Sequence, residues 1–145
     1  MKGPAVVYVL VLIWALVSFA DWIAPYHNLT EDGCRLDYVY DGDTVAIACG
    51  QDVQTARLVG FDTPEARDPG CTAEATHAAK ATARLRALSR SGDVTFSGSD
   101  FDRYGRLLVT MRIDGVDVGE TLIDEGLAVS YTGGTRINWC AWLAG

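Results

Sequence analysis

The Asp-Gly pair at Asp41-Gly42 constrains the fold more than any other part of the sequence. It lies between two runs rich in β-branched and aromatic residues, 35–40 (RLDYVY) and 44–49 (TVAIAC). Asp-Gly between such runs predicts a β-hairpin with a two-residue turn, because both turn positions favour positive φ. This turn accounts for Asp41 and Gly42 but not for Asp43, a further polar residue at the start of the second strand.

The N-terminus differs in composition from the rest of the chain. Its first 20 residues contain one charged side chain and are otherwise almost continuously apolar. A cleaved secretory signal has an apolar core of roughly 7–15 residues, whereas a membrane anchor needs roughly 17–25. The length, with Trp22 and Tyr26 placed as interfacial aromatics, slightly favours an uncleaved anchor. We therefore expect an anchor or signal peptide over 1–26, a linker over 27–33, and a domain outside the cytoplasm, either membrane-anchored or, after cleavage, secreted or periplasmic.

The chain has four cysteines, an even number, which predicts two disulfides in a small exported domain. Three pairings are possible. A two-residue turn at Asp41-Gly42 places Cys34 directly opposite Cys49, which leaves Cys71 to pair with Cys140. A zinc site is the alternative, but no two of these cysteines have the Cys-x-x-Cys spacing that is typical of one.

The remaining sequence, 34–145, predicts one α+β domain. With 145 residues, 49% of them hydrophobic, the chain has enough apolar side chains for a packed core. After the hairpin, the patterns predict a third strand over 54–61, a helix within 72–92, two strands over 94–98 and 106–114, and a short helix over 117–125. This order matches a five-stranded Greek-key barrel of the OB type, with one helix between strands three and four and a second after strand five.

Polar residues interrupt the strand ends in three places. These are Asp41 to Thr44 (DGDT), Arg57 to Glu65 (RLVGFDTPE) and Asp102 to Arg106 (DRYGR). Taken singly, each charged side chain is best explained as solvated or as part of a turn, since most charged residues lie at the surface.

Taken together, the three motifs strongly resemble those of the staphylococcal-nuclease-like (thermonuclease) family in order, internal spacing and intervening helix. The resemblance covers roughly residues 36–131. It implies an OB-type nuclease fold and a Ca²⁺ cofactor. It also implies that Asp43 and Asp62 are the carboxylates that bind the ion, and that Thr63 binds it through its backbone carbonyl. Asp41 resembles an acid close to the metal that does not bind it.

The same resemblance implies the residues that act on the substrate. Arg57 and Arg106 correspond to the arginines that bind the phosphate, and Glu65 to the carboxylate that activates the attacking water. Three further positions correspond to contacts with a terminal phosphate or a base, namely Arg103, Tyr104 and Tyr131.

We therefore expect an exported, Ca²⁺-dependent nuclease that hydrolyses DNA and RNA with little sequence preference. We expect it to be a monomer, with the membrane as a further partner if the N-terminal segment stays attached. The first alternative is a non-catalytic OB module that binds nucleic acid or protein at the cell envelope. The second is a membrane-tethered structural protein that retains the site by descent.

Three features depart from the family pattern, and one of them is the addition of the disulfides and the N-terminal segment. The net charge is −7, whereas nucleases of this type are commonly basic, so we expect weak, salt-sensitive affinity for nucleic acid. The long C-terminal helix of the family is expected to be missing or reduced here. Trp139, Cys140 and Trp142 are candidates for holding the tail in its place.

Overall fold

The hairpin predicted around Asp41-Gly42 opens the domain in a computed structural model of the chain, which describes residues 8, 11–14 and 33–145. Residues 8 and 11–14 are helical. The prediction of an anchor or signal over 1–26 and a linker over 27–33 lies largely outside the described residues. Within these described ranges, no helix is long and apolar enough to cross a membrane.

The domain contains eight strands and three helices among the residues from 33 onward. The strands are β1 (Cys34–Val39), β2 (Thr44–Cys49), β3 (Asp52–Leu58), β4 (Gly60–Asp62), β5 (Val94–Phe101), β6 (Leu107–Ile113), β7 (Val116–Asp117) and β8 (Val129–Tyr131). The helices are α1 (Thr72–Leu88), α2 (Val118–Asp124) and α3 (Trp139–Ala144).

The strand order confirms the predicted α+β fold of the OB type. The main sheet runs β1-β2-β3-β6-β5, with β7 added beside β6. β3 and β6 are parallel, while the other neighbours are antiparallel. The long helix α1 follows β4 and precedes β5, and the short helix α2 follows the strand pair β6–β7, as the sequence predicts.

The predicted third strand, 54–61, is divided in two. β3 stays in the main sheet, and the chain then leaves it at Val59, whose N–H still bonds to the carbonyl of Val109 at 2.9 Å. Gly60 has φ +94°, a conformation that favours glycine, and so permits the change of direction. β4 then pairs with β8 in a separate two-stranded sheet. This break turns Asp62 and Thr63 away from the sheet and toward the loops at its end.

The predicted hairpin forms, but its turn is one residue longer than predicted. Val39 pairs with Val45, and the N–H of Tyr40 bonds to the carbonyl of Thr44 at 3.0 Å, so residues 41–43 form the loop. Gly42 lacks the positive φ that the predicted turn requires. It is needed instead for close packing, because a Cβ there would lie 2.8 Å from Cγ2 of Thr63.

Both predicted disulfides are present. A register shift between Leu36 and Tyr38 compensates for the longer turn and returns Cys34 to its place opposite Cys49. Cys34 is bonded to Cys49, and Cys71 is bonded to Cys140. The pairing derived from the hairpin is therefore correct, although the two-residue turn used to derive it is wrong.

The hydrophobic core lies between the main sheet and the helices. Its fully buried side chains include Leu36, Leu58, Phe61, Leu85 and Leu122. The second disulfide ties α3 to the residue that precedes α1, and so closes the tail over this end of the core.

The tail is held by the residues that the sequence suggested. Trp139 is buried, with 3% of its surface exposed, and Cys140 forms the disulfide to Cys71. Trp142 is half-exposed and packs edge-on against Trp139, with 5.2 Å between ring centres. Asn138 caps α3 by accepting a hydrogen bond from the N–H of Ala141 at 3.0 Å.

Candidate active site

A groove of about 1100 Å³ lies where the loop 41–43, the segment after β4, the loop 102–106 and the end of β8 meet. It brings together the predicted site residues from all three sequence motifs. Those lining it are Asp41, Asp43, Arg57, Thr63, Glu65, Arg103, Tyr104, Arg106 and Tyr131. Asp62 is fully buried next to Thr63, which does line the groove, so the chain fold gathers the whole predicted set at one place.

Asp43 is almost completely buried and accepts several hydrogen bonds. Its Oδ1 lies 2.6 Å from Nη1 of Arg57, and its Oδ2 accepts from the N–H and the hydroxyl of Thr63 at 3.1 and 2.9 Å. Asp41 fixes the loop by accepting the N–H of Asp43 at 3.0 Å. Burial, opposed by Arg57 and reinforced by the charge of Asp41, raises the pKa of Asp43 to about 6.

Asp62 is fully buried and has three partners, two of them from the distant C-terminal segment. Its Oδ1 lies 3.0 Å from Nη2 of Arg57 and 2.7 Å from Nε of Arg136. Its Oδ2 accepts from the indole N–H of Trp139 at 3.1 Å. A buried carboxylate is stable only when it is paired and hydrogen-bonded, and these contacts meet that requirement.

Arg57 bridges the two aspartates through separate nitrogens of one guanidinium. Only 16% of its side chain is exposed. These contacts use two of the five N–H donors of the guanidinium, so the group can still meet an anion in the groove. Its observed partners are therefore the two carboxylates, and its predicted contact with phosphate stays a prediction.

The oxygens of Asp43, Asp62 and Thr63 fit a hard divalent cation. They comprise two carboxylates and a backbone carbonyl, which are the ligand types that Ca²⁺ prefers. Both carboxylates lie at or beneath the groove wall, where an added positive charge offsets the cost of their burial. The carbonyl of Thr63 accepts a hydrogen bond from Nη2 of Arg136 at 3.0 Å, so a protein cation already contacts part of this ligand set.

A second group of potential ligands lies at the start of α1. Atoms of Cys71, Glu74 and Cys140 lie within 4.8 Å of one another. The two sulfurs are joined in a disulfide and therefore cannot act as the thiolate ligands that zinc requires. The disulfide prediction, rather than the zinc alternative, describes these cysteines.

Glu65 lies at the groove wall on a loop held by Glu74. The side chain of Glu65 is 38% exposed, and its Oε1 accepts the N–H of Arg67 at 2.9 Å. Glu74 is buried in the first turn of α1 and accepts the N–H of Glu65 at 3.1 Å and the N–H of Gly70 at 2.7 Å. Glu74 therefore sets the path of the loop that presents Glu65.

The loop 102–106 presents two arginines beside one exposed tyrosine. Asp102 accepts the backbone N–H groups of Tyr104 and Arg106, both at 2.9 Å, and binds Nε of Arg106 at 2.7 Å. Nη2 of Arg103 donates to the hydroxyl of Tyr104 at 2.6 Å. The guanidinium carbons of Arg103 and Arg106 lie 4.7 and 5.6 Å from the ring centre of Tyr104. This cluster offers both positive charge and an aromatic face to the groove.

Tyr131 lines the groove from the end of β8. It is the residue of β8 that pairs with Gly60, and its hydroxyl donates to the carbonyl of Gly134 at 2.7 Å. Its role as a base contact stays a prediction.

The sequence did not indicate Glu74 or Arg136 as residues of the site, and it indicated Trp139 only as a residue that holds the tail, not as a partner of Asp62. Nothing in the local pattern around Arg136 distinguishes it from a surface arginine. The predicted Cys71–Cys140 disulfide was the available signal, because it brings the segment before Cys140 to the start of α1 and thus to the loop that carries Glu65.

The chain is similar in sequence to known proteins. The family model described as Staphylococcal nuclease homologue matches residues 55–138. The SPbeta prophage-derived endonuclease YokF of Bacillus subtilis (strain 168) is 38% identical over 100 residues, which are 66% of this chain and 33% of that protein. Endonuclease YncB of the same organism is 37% identical over 100 residues, which are 66% of this chain and 47% of that protein. The aligned region thus spans between a third and a half of these relatives.

Proposed function

Because the chain belongs to the staphylococcal nuclease homologue family, we propose that it is a Ca²⁺-dependent nuclease that hydrolyses DNA and RNA with little sequence preference. The observation that carries the proposal is the convergence of two buried carboxylates, Asp43 and Asp62, on the same groove as Glu65 and Arg106. The two relatives are named as endonucleases, which supports phosphodiester hydrolysis as the reaction class.

The proposed ligands of the cation are Asp43, Asp62 and the carbonyl of Thr63. When bound, a divalent ion supplies Lewis-acid stabilisation of negative charge on the phosphate oxygens. The burial of both carboxylates supports this assignment, since it keeps the ligands rigid and limits competition from bulk water.

The remaining chemistry is assigned to side chains of the groove. Glu65 accepts a proton from the attacking water, and the new bond forms between the water oxygen and phosphorus. Arg106 and Arg57 stabilise the charge that develops on the equatorial phosphate oxygens, because guanidinium donors match that geometry. The bond from phosphorus to O5′ breaks, the leaving oxygen takes up a proton from solvent water, Glu65 later returns its proton to solvent, and the product carries a 3′-phosphate.

The arginines of the groove are the groups that support nucleic-acid binding there. The protein carries a net charge of −7, and five arginines line the groove together with five acids; the arginines are Arg57, Arg67, Arg103, Arg106 and Arg136. With the charges of the lining balanced, a polyanion is attracted mainly by direct contact with these arginines and with a bound cation, and salt screens charges beyond about 8–10 Å. We therefore expect substrate affinity to depend steeply on ionic strength.

The proposed place of action is outside the cytoplasm. Two disulfides support this, since such bonds persist mainly in oxidising compartments. The apolar composition of the first 20 residues supports export by an anchor or signal. Fractionation of cells that express the full chain tests the proposal, and recovery of the protein from the cytoplasm with reduced cysteines contradicts it.

The test of function is digestion of single- and double-stranded DNA and of RNA by the purified chain. We expect cleavage with Ca²⁺, none with a chelator, and recovery when Ca²⁺ is restored. Asp43→Ala should reproduce the effect of the chelator, because a hard dication loses a charged ligand. The matched control is Asp124→Ala, the same change at an exposed position on α2.

Two outcomes contradict the proposal in different ways. Full activity of Asp43→Ala at limiting Ca²⁺ would show that Asp43 is not a ligand of the metal. A parent protein that binds an oligonucleotide without cleaving it supports the non-catalytic binding module instead.

A further inference from the structure

Arg136 contacts three groups of the candidate site with three different nitrogens. Its Nε lies 2.7 Å from Oδ1 of Asp62, and its Nη2 donates to the carbonyl of Thr63 at 3.0 Å. Its Nη1 lies 3.8 Å from Oε2 of Glu65. One guanidinium thus reaches two proposed metal ligands and the proposed general base.

These contacts place Arg136 in direct competition with a bound cation. Oδ1 of Asp62 and the carbonyl of Thr63 are oxygens that a hard divalent ion would use at this site. A guanidinium and a dication on the same oxygens repel each other strongly at such short distances. Each of the two positive groups therefore weakens the binding of the other. Arg57 also contacts Oδ1 of Asp62, whereas Arg136 contacts both that oxygen and the carbonyl of Thr63.

We propose that Arg136 is the intrinsic counter-cation of the metal site: its guanidinium occupies the oxygens of Asp62 and Thr63 when no divalent ion is bound, and it leaves them when one binds. This inference rests on the proposed function, because it assumes that these oxygens bind a metal. It assigns to Arg136 the role of setting the affinity and selectivity of metal loading.

The structure allows Arg136 to move without opening the core. Its side chain is 40% exposed and lines the groove, whereas the side chain of Arg57 is only 16% exposed and bridges two carboxylates. The backbone nearby is fixed by the hydrogen bond of Trp139 and by the disulfide of Cys140. Displacement therefore needs only a rotation of the Arg136 side chain into the groove.

Arg136 stays charged throughout the relevant pH range. Burial opposes its charge, but Asp62, Asp43 and Glu65 outweigh this and raise its pKa above the ordinary value. The metal ion therefore competes with an Arg136 side chain that carries its positive charge throughout this pH range.

The test measures Ca²⁺ affinity by calorimetry on the purified full chain. We compare the parent with Arg136→Gln, which removes the charge, and with Arg136→Lys, whose compact ammonium lacks the planar fork that reaches two acceptors. Arg136→Gln should bind Ca²⁺ about tenfold more tightly, which is the effect of removing one competing charge-assisted contact. Arg136→Lys should fall between the parent and Arg136→Gln.

The matched control is Arg67→Gln. Arg67 is an exposed arginine of the same groove, and it donates its backbone N–H to Glu65. The change removes one positive charge from the groove but leaves the contacts of Asp62 and Thr63 in place. Its Ca²⁺ affinity should stay close to that of the parent, which separates direct competition from a general effect of groove charge.

A second readout does not depend on catalysis. Without metal, Arg136→Gln should unfold at a lower temperature than the parent, because buried Asp62 loses one of its cationic partners. Saturating Ca²⁺ should raise the melting temperature of Arg136→Gln more than that of the parent, since stabilisation by a ligand grows with the logarithm of the ratio of its concentration to its Kd.

The outcomes distinguish this inference from the proposed function. If the parent binds Ca²⁺ and cleaves DNA, but Arg136→Gln binds Ca²⁺ with equal or lower affinity, the competition is rejected and the nuclease assignment stands. If Arg136→Gln does not fold, parent-like affinity in Arg136→Lys rejects the competition in the same way. If the parent and both folded variants show no Ca²⁺ binding, the metal site and the inference fail together.

Discussion

The indole N–H of Trp139 donates a hydrogen bond to Oδ2 of Asp62 at 3.1 Å, across 77 residues of sequence. Trp139 begins α3, which the second disulfide joins to the start of α1. Asp62 is the most deeply buried acid of the candidate site. The C-terminal segment is therefore part of the structure that holds the proposed metal ligands.

Replacing Trp139 by Phe should destabilise the metal-free protein by about 1–3 kcal/mol, the cost of leaving a buried acceptor without its donor. Urea denaturation measures the change. Trp142→Phe is the control, because Trp142 packs on Trp139 from the surface with 48% of its area exposed. Its effect should stay within about 0.5 kcal/mol. Equal effects of the two substitutions would show that ring packing, not the bond to Asp62, is what Trp139 provides.

The two disulfides should contribute unequally to stability. The Cys34–Cys49 bridge has a sequence separation of 15 and the Cys71–Cys140 bridge one of 69. Loop-closure entropy then predicts a loss of about 3 kcal/mol for the Cys34/Cys49 double Ser variant and about 4 kcal/mol for the Cys71/Cys140 variant. Chemical denaturation under matched conditions checks the order. Only the Cys71/Cys140 variant should also weaken Ca²⁺ binding, and an equal effect on binding from the first bridge contradicts the link between α3 and the site.

The fold could be predicted because its patterns are local. The apolar run 44–49, the hairpin around Asp41-Gly42 and the helix within 72–92 each depend on neighbouring residues, and all three elements form. The length of the turn could not be predicted in this way. Glycine is required at position 42 because a Cβ there would clash with Thr63, and not because the φ is positive. Thr63 belongs to a different part of the chain, so the local sequence does not show this requirement.

The candidate site, like the fold, could be predicted only in part. The residues of the three motifs reach one groove as expected, because the loops 41–43 and 102–106 connect strands of the main sheet and the remaining motif continues from β3 through β4. Arg136 escaped prediction because its partners are set by long-range packing: it reaches Thr63 across 73 residues. Glu74 escaped prediction because its partners, the N–H groups of Glu65 and Gly70, belong to an irregular loop whose path no sequence pattern gives. The sequence motifs identify the residues proposed to bind metal and substrate. The residues that position these groups, or that compete with metal for them, are identified only by the tertiary structure.

The raised pKa of Asp43 predicts a pH dependence of stability in the metal-free protein. Burial, opposed by Arg57, raises the pKa of Asp43 from 3.8 to about 6 in the folded state. The folded protein therefore binds this proton more tightly than the unfolded chain. The stabilisation from this group is fully present below about pH 4 and is lost as the pH rises through about 6.

The measurement compares unfolding free energies of the parent and of Asp43→Asn, without metal, from about pH 4 to about pH 7. Relative to Asp43→Asn, the parent should lose on the order of 2–3 kcal/mol over this range. Saturating Ca²⁺ should reduce the loss, since the ion favours the charged carboxylate. Parallel pH profiles for the two proteins would show that Asp43 titrates as it does in the unfolded chain.

Glu74 should act as a positioning residue for the loop that carries Glu65. Glu74→Gln keeps the size of the side chain but offers one carbonyl oxygen in place of two carboxylate oxygens, so one of the bonds to Glu65 and Gly70 is lost. We expect a destabilisation of about 1–3 kcal/mol and a lower kcat. Glu120→Gln, at an exposed position in the first turn of α2, is the control and should leave both quantities near their parent values. A normal kcat in a destabilised Glu74→Gln protein would limit Glu74 to a structural role.

Replacing the proposed general base, Glu65, is the change that best distinguishes an enzyme from a binding module. Glu65 lies at the groove wall with its side chain partly exposed, so Glu65→Gln should preserve the shape of the groove. A base acts only in the transition state, so its loss should lower kcat by about 10²-fold or more. Affinity for an oligonucleotide should stay within a few-fold of the parent, because proton transfer plays no part in binding.

The control for this change is Asp68→Asn, which neutralises an exposed acid of the same groove that has no assigned role. Both variants remove one negative charge, so any gain in affinity from weaker repulsion of the phosphate should appear in both. A fall in kcat confined to Glu65→Gln then identifies the base. Turnover of Glu65→Gln at the parent rate would mean that another group accepts the proton and that Glu65 is not the general base. The metal site would still be tested separately by Asp43→Ala.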